Sequence, residues 1–283
     1  MSSERCAAGA GAEAAAGAAT PVDELARVMS NVELAPAIHV MELDAPQIAR
    51  MVQPGQFVHM QIPGMDGHIL RRPFSVCRWG GDSIFVMYQV VGTGSRHMTT
   101  LVPGCELSLI GPVGRGWNPP AACKHAVLVC GGMGVAPQTM LAKQLVESGA
   151  QVDCLVGATT AERLVGTQVL EGFGARVHIA TDDGTAGHHG FCTELIGDFA
   201  QDASYVSICG PEPMERAAVR TLEGVLAERA QQGGEMPLVE VSLERRMACG
   251  IGACLSCVVD TVAGKKRACV DGPVFEAREV VWQ

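Results

Sequence analysis

Near the C-terminus four cysteines recur at a spacing that few local structures allow. The chain reads Cys249-Gly250-Ile251-Gly252-Ala253-Cys254-Leu255-Ser256-Cys257, then eleven further residues, then Cys269. C-x4-C-x2-C…C is the ligand spacing of a plant-type [2Fe–2S] centre, in which each iron takes two sulfur ligands. The intervening residues suit a loop wrapped round such a group. Gly250, Gly252, Ala253 and Ser256 have little or no side chain, so backbone N–H groups are free to turn toward sulfur, and glycine admits φ > 0. Zinc is the main rival metal, but zinc ribbons usually carry two C-x2-C knuckles and this chain has one. A chance set of buried thiols is the bland alternative. The spacing predicts Cys249, Cys254, Cys257 and Cys269 as metal ligands, and with them the movement of single electrons.

A chain of 283 residues has room for two or three domains and a substantial core. Its formal net charge of −9 argues against a nucleic-acid partner, which would need a basic face. The other eight cysteines are scattered, several inside apolar runs such as Val127–Cys130 and Val152–Val156. Scattered thiols fit a reducing, cytoplasmic setting better than a disulfide framework. No run approaches the length of a transmembrane helix, so no membrane partner is expected. The N-terminus to about Thr20 is dominated by Ala, Gly, Ser and Glu. It lacks the basic and Leu-rich regions of a signal peptide and offers little apolar surface, so residues 1–21 are expected to form a disordered tail.

Residues 22–117 show short apolar runs broken by Pro and Gly: Ile38–Leu43, Phe57–Ile62, Phe74–Val76, Ile84–Val91 and Leu107–Ile110. That pattern predicts a small antiparallel barrel, with turns at Pro54-Gly55, Pro63-Gly64, Gly80-Gly81 and Pro103-Gly104. Two segments stand out. Arg71-Arg72-Pro73-Phe74-Ser75 puts arginine, a fixed-φ proline and a hydroxyl at a strand start, groups that suit a phosphate and a ring edge. Tyr88-Gln89-Val90-Val91-Gly92-Thr93-Gly94-Ser95 leaves a strand for a small-residue turn and a helix expected over Arg96–Leu101, whose N-terminus suits pyrophosphate. Each has an ordinary structural reading, as a strand start or a turn.

Over residues 118–238 the period changes. Strands expected at Ala126–Cys130, Val152–Val156, Val177–Ala180 and Tyr205–Cys209 alternate with helices expected to Glu147 and at Thr160–Leu170, Thr193–Phe199 and Pro213–Gln231. Such alternation implies a parallel sheet with helices on both faces and ligand loops at the carboxyl ends of the strands. Three loops sit there: Gly131-Gly132-Met133-Gly134-Val135-Ala136-Pro137, Thr181-Asp182-Asp183-Gly184, and Cys209-Gly210-Pro211-Glu212-Pro213-Met214. Together they predict a nucleotide cleft. The first is not a Rossmann fingerprint, since Pro137 stands where a third glycine would be and no acidic residue ends the second strand. That strand end, Gly157-Ala158-Thr159-Thr160, has no basic residue before Arg163 to meet a 2′-phosphate, which favours NAD over NADP. Cys209 reads as a small buried residue, and His188-His189 as a solvated pair.

With these pieces in order the chain resembles the ferredoxin–NADP reductase superfamily and, within it, the electron-transfer subunits of NAD-linked dihydroorotate dehydrogenase. The resemblance runs from about Leu25 to the C-terminus. Its most specific parts are Leu243-Glu244-Arg245-Arg246-Met247-Ala248-Cys249-Gly250-Ile251-Gly252-Ala253-Cys254 and Cys269-Val270-Asp271-Gly272-Pro273-Val274-Phe275. It implies an N-terminal FAD-binding barrel, a parallel-sheet NAD-binding α/β domain, and a small C-terminal [2Fe–2S] domain over 239–283. It further implies that Arg72, Pro73, Phe74 and Ser75 form the flavin signature, and that Met87, Tyr88 and Gln89 line the isoalloxazine. Gly94 and Ser95 would meet the pyrophosphate. Gly131, Gly132, Gly134 and Pro137 would floor the nucleotide site, with Cys209 and Gly210 at its nicotinamide end. Phe74 replaces the usual tyrosine of the signature, so stacking there is not implied.

The implied partner is a separate FMN-containing dihydroorotate dehydrogenase catalytic subunit, in a heterotetramer of two of each subunit. Electrons would pass from it through the cluster and FAD to NAD, with the exposed small-residue cluster loop as the contact and Arg245 and Arg246 orienting the partner. Two other readings remain at this point. One is a reductase subunit built from the same modules for an oxygenase, hydrogenase or transhydrogenase. The other is a redox sensor that holds a cluster without turnover.

Overall fold

The computed structural model describes residues 20–65 and 67–282, so the expected N-terminal tail lies almost wholly outside the described residues. The barrel is closed by six strands, β1 (Val22–Ala35), β2 (Ile38–Asp44), β3 (Phe57–Gln61), β4 (Arg72–Gly80), β5 (Ser83–Gln89) and β6 (Glu106–Val113), in the order β1-β2-β5-β4-β3-β6. Every pairing is antiparallel. Two short helices interrupt it, α1 (Pro46–Met51) and α2 (Thr93–Met98). Five of these strands cover the apolar runs of the sequence. β1 does not, because its buried face reads Glu24, Ala26 and Val28 while Leu25 and Met29 point outward. Glu24 is buried for a reason: its two carboxylate oxygens accept the N–H groups of Gln47 and Ile48 at 2.9 Å, closing the start of α1.

The second body is a seven-stranded sheet of β7 (His125–Gly131), β8 (Gln151–Ala158), β9 (Arg176–Thr181), β10 (His188–His189), β11 (Tyr205–Cys209), β12 (Leu238–Ser242) and β15 (Val274–Glu276), in the order β10-β9-β8-β7-β11-β12-β15. The strands from β10 to β12 run parallel, and β15 adds antiparallel to β12. The helices are α3 (Val135–Glu147), α4 (Thr167–Gly172), α5 (Ile196–Phe199) and α6 (Glu212–Gln231). Buried Gln138 ties α3 down: its amide donates to the Val129 carbonyl at 2.8 Å and accepts from the Ser207 hydroxyl at 2.6 Å. The sheet continues across the division expected at 238, since β12 and β15 both belong to it. Between them lie the cluster loop and a hairpin of β13 (Val258–Thr261) and β14 (Gly264–Arg267).

Three expected helices differ from the structure. Over Thr160–Leu170 a single turn at Ala161–Arg163 gives way to extended chain, and α4 starts only after Gly166, whose φ of +79° no continuous helix accepts. Thr193–Phe199 is a tight turn running into the four-residue α5. The helix expected at Arg96–Leu101 begins at Thr93 and ends at Met98. No helix among the described residues is long and apolar enough to cross a membrane.

Candidate functional site

Strand pairing brings the two barrel segments together. Arg72 starts β4, and its guanidinium donates to the carbonyls of Leu70 and Arg71. It also lies against Gly94, where a Cβ would come within 3.6 Å of the Arg72 Nε. Ser95 turns its hydroxyl back on its own turn, accepting the N–H groups of Val91 at 2.9 Å and Gly92 at 3.1 Å. The hydroxyl therefore shapes the loop that would face a pyrophosphate.

Alternation along β5 separates the three residues expected to line the flavin. Met87 and Gln89 face a cavity of about 510 Å³ together with Pro73, Phe74 and Ser75. Tyr88 points to the other face of the strand and packs in the barrel core, 2% exposed. There its hydroxyl donates to Asn31 Oδ1 at 2.9 Å, and its ring stacks on His39 with centroids 5.3 Å apart. Phe74 meets Tyr88 edge-on at 6.2 Å, so Tyr88 supports the cavity wall from behind rather than lining it.

The opposite wall of this cavity comes from the sheet. Gly131, Gly132, Met133 and Gly134 line it from the end of β7, and Cys209, Gly210 and Pro211 from the end of β11. Gly134 is required by contact: a Cβ there would overlap the carbonyl oxygen of Cys209. Pro137 lies one turn into α3, buried, and its carbonyl accepts the Trp117 indole N–H at 2.9 Å. It braces the cavity floor from beneath and is not itself among the lining residues. A second cavity of about 450 Å³ adjoins the first through Gln89, Gly131, Gly132, Met133 and Pro211. Its far walls are Gly157–Thr159, Asp182, Phe191–Thr193 and Met214. All three strand-end loops thus reach one continuous cleft. Arg163 lines it too, carried there by the turn that replaces the expected helix.

Cys209 is 2% exposed, and burial, then the charges of Glu215 and Glu244, push its thiol well above the ordinary range. It is an inert wall atom rather than a nucleophile. Beside it stand two carboxyls that sequence reasoning passed over. Glu244 is exposed as a residue, but desolvation of its carboxyl at the cavity wall lifts it above the usual glutamate value. Burial also lifts Glu215, to about 8, although its Oε1 accepts the Gly210 N–H at 3.2 Å. Glu244 lay inside the most specific motif of the chain, and its place next to a buried strand end was the signal. His188, by contrast, is exposed and paired with Glu194 at 2.7 Å.

The third wall of the 510 Å³ cavity is the chain leading into the cysteines, Ser242–Arg245 with Met247, and Pro273 from beyond them. The four thiols fall into two pairs. The Cys254 N–H donates to Cys249 Sγ at 3.4 Å, and the two thiols are themselves in contact. Cys257 and Cys269 form the other thiol–thiol contact, each 2% exposed. Partial burial would raise Cys249, but the N–H groups of Ile251, Cys254 and Ala253 outweigh it and hold the thiol down at about 6. Burial and the Cys257 thiol push Cys269 up to about 12. Gly250 and Gly252 take φ of +72° and +84°, the turns that aim those N–H groups at sulfur. Among the described residues no three His, Cys, Asp or Glu side chains converge on one metal position. Two pairs, with backbone donors already on sulfur, fit two irons with two ligands each and not a single tetrahedral zinc. Likewise an apolar cavity of this size between a barrel strand pair and a Gly-rich strand end fits a flavin ring.

Arg245 does not extend to a partner as expected. Its guanidinium pairs with Glu212 at 3.2 Å and donates to the Glu244 carbonyl at 2.9 Å, bracing the cluster segment against α6. His59 on β3 was also passed over. It is fully buried against the cluster loop, and burial followed by the charge of Arg71 keeps its ring below the ordinary histidine value.

Comparison with known proteins agrees with this assembly. Residues 244–281 match the family model for the iron–sulfur cluster binding domain of dihydroorotate dehydrogenase B. The electron transfer subunit of dihydroorotate dehydrogenase B (NAD(+)) from Desulforamulus reducens is 36% identical over 267 residues, spanning 91% of this chain and 98% of that protein. Its counterpart from Geobacillus sp. is 36% identical over 261 residues, 90% of this chain and 96% of that one. Among solved structures, an NADH-dependent reduced ferredoxin–NADP oxidoreductase superposes with a TM-score of 0.76 at 24% identity, covering 95% of this chain and 92% of that one. The ferredoxin reductase of a carbazole 1,9a-dioxygenase reaches 0.65 at 22% identity, over 74% and 67%. These structures share the fold. Read with the paired thiols and the three-walled cavity, the near full-length identity settles the family: this chain belongs to the electron transfer subunits of dihydroorotate dehydrogenase B (NAD(+)).

Proposed function

We infer that this chain carries electrons between the catalytic subunit of a dihydroorotate dehydrogenase and NAD, by way of a [2Fe–2S] cluster and FAD. One observation carries the reading: barrel strands, nucleotide loops and the cluster segment are three walls of a single cavity. When bound there, a flavin exchanges electrons with NAD in pairs and with a cluster singly.

The residues divide the work. Arg72, Pro73, Phe74 and Ser75 would hold the flavin from the barrel side, with Met87 and Gln89 lining the cavity for its ring and Gly94 and Ser95 available to its phosphates. Apolar Phe74, Met87 and Met247 keep water from the ring. Gly131, Gly132 and Gly134 let the nucleotide approach backbone N–H groups, while Cys209 and Gly210 close the end nearest the flavin. Cys249 and Cys254 would hold one iron, and Cys257 and Cys269 the other. The working units are the barrel at 22–117, the nucleotide unit at 118–238 and the cluster unit at 239–283, which shares the sheet of the second. None of the eleven cysteines among the described residues is in a disulfide, which supports a reducing, cytoplasmic setting.

The chain alone should oxidise NADH with an artificial acceptor, and dihydroorotate-dependent reduction of NAD should appear only when the catalytic subunit is added. A full-length complex that reduces no NAD from dihydroorotate overturns the reading.

A further inference from the structure

His59 is 0% exposed, yet among the described residues neither of its ring nitrogens has a hydrogen-bond partner. Such a side chain is costly, because a buried imidazole keeps one N–H and one lone pair that water no longer satisfies. Its position is specific. On one side its backbone stands opposite Pro73 of the flavin strand in the β3–β4 register. On the other its ring lies flat on the cluster loop, where a Cβ on Gly250 would come within 2.5 Å of Nδ1 and 3.0 Å of Cγ. The backbones of Cys249 and Arg71 both approach the ring, and neither reaches hydrogen-bond geometry. A residue that only filled this space would do so at less cost as leucine or phenylalanine.

We propose that His59 is a positioning residue for the cluster: its ring N–H is donated to the Cys249 end of the cluster loop when the cluster is in place, tying that loop to the flavin strand of the barrel. Three observations support this beyond burial. The ring is the barrel side chain pressed on the residue next to the first ligand. Gly250, at φ +72°, turns the loop backbone onto the ring with no room for a side chain between them. Strand β3 is held in place from both sides by β4 and β6, so the ring is carried on a rigid element rather than a loop. A donor at the ligand end of an iron–sulfur centre draws electron density from it and raises its reduction potential. The inference rests on the cluster reading above, and its test separates the two.

The holoprotein is compared as wild type, His59→Phe and His59→Asn by iron and sulfide content, by electron paramagnetic resonance of the reduced centre, and by redox titration. Phe keeps the ring volume without the N–H, and Asn places an amide N–H near the position of Nδ1. The expected result is that His59→Phe holds iron but shows shifted g-values and a potential below wild type, while His59→Asn returns both toward wild type. A His59→Phe protein with wild-type g-values and potential overturns the proposal, and so does an Asn variant displaced as far as Phe. Should the Phe variant hold no iron, the Asn variant decides alone: wild-type potential upholds the proposal, and a shifted potential or absent iron overturns it. Wild-type protein without a reduced [2Fe–2S] signal would instead sink the cluster assignment itself.

Discussion

At the scale of single residues the chemistry turns on which polar groups are buried and what meets them. The four cluster thiols are chemically alike in sequence, but backbone N–H groups lower one of them to about 6 while burial lifts another to about 12. Replacing Cys254 by Ser removes one of the four proposed iron ligands and is expected to abolish the visible absorption of the cluster and most of its iron. Cys209→Ser, in the cavity wall, should keep both; the reverse pattern would refute the ligand set. Glu215 makes a second residue-scale prediction. Burial holds its carboxyl up at about 8, with Glu244 and Glu212 adding like charge and Arg245 opposing them. Between the ordinary glutamate value and about 8 the folded chain keeps a proton that the unfolded chain has released. Stability therefore falls as pH rises across that window, and the full cost is present above it. Glu215→Gln keeps the oxygen that accepts the Gly210 N–H and removes the ionisation. It should gain on the order of a few kcal/mol over wild type at about pH 9 and nothing at about pH 5. Thermal melts at both pH values check this, and parallel melts would show the site to be relaxed.

Elements decide where those residues stand. The start of α3 is pressed on the end of β11, so Gly134→Ala forces a Cβ into the Cys209 carbonyl and must push helix and strand apart. A loss of about 1 to 3 kcal/mol is expected, and with it the raised KM for NADH that the proposed nucleotide site requires. Unchanged stability and KM would mean that the loop yields freely. At the opposite ends of the same strands, Asp153 of β8 is fully buried. It accepts from His125 of β7 at 2.8 Å and from His178 of β9 at 2.7 Å, and it pairs with Arg176 of β9. Burial opposes its charge, but the hydrogen bonds from Arg176, His178 and His125 win and hold it down at about 2. Asp153→Ala removes the shared acceptor of three strands and is expected to cost about 3 to 5 kcal/mol by denaturant unfolding. Cofactor content should stay intact below the transition, since the cleft lies at the other ends of the strands.

For the whole molecule the point of interest is the rim of the cluster loop. Cys254 is exposed, and Ile251 and Leu255 beside it are 58% and 62% exposed, an apolar margin round the thinnest cover of the thiols. Arg245 is committed within the chain, which leaves this apolar margin and the exposed Arg246 as the loop's surface for the proposed partner contact. Leu255→Glu should spare NADH oxidation with a small-molecule acceptor and slow electron transfer with the catalytic subunit by roughly tenfold or more, ~1.4 kcal/mol at the interface. Equal loss of both activities would point to damage in the cluster, and loss of neither to a contact elsewhere.

Much was already written in the chain order. Cysteine spacing implied the iron ligands because two sulfurs per iron within a short loop leave few arrangements. Pro-Gly turns between short apolar runs implied the barrel, and the switch to alternating strands and helices implied the parallel sheet, because both follow from local periods of 2 and 3.6 residues. What stayed hidden depends on contacts distant in sequence. β1 was illegible because its inner face carries Glu24, apolar in role only through a helix start more than twenty residues on. Tyr88 and Met87 are neighbours in sequence, and only the pleat of β5 sends one into the barrel and the other to the cavity. Gly166 interrupts the helix expected over Thr160–Leu170, and α4 starts only after it. His59 reads as one more residue of an apolar run until packing lays it on Gly250. Local sequence determines which elements form; burial of one element by another decides which polar groups lose water, and those groups make the site.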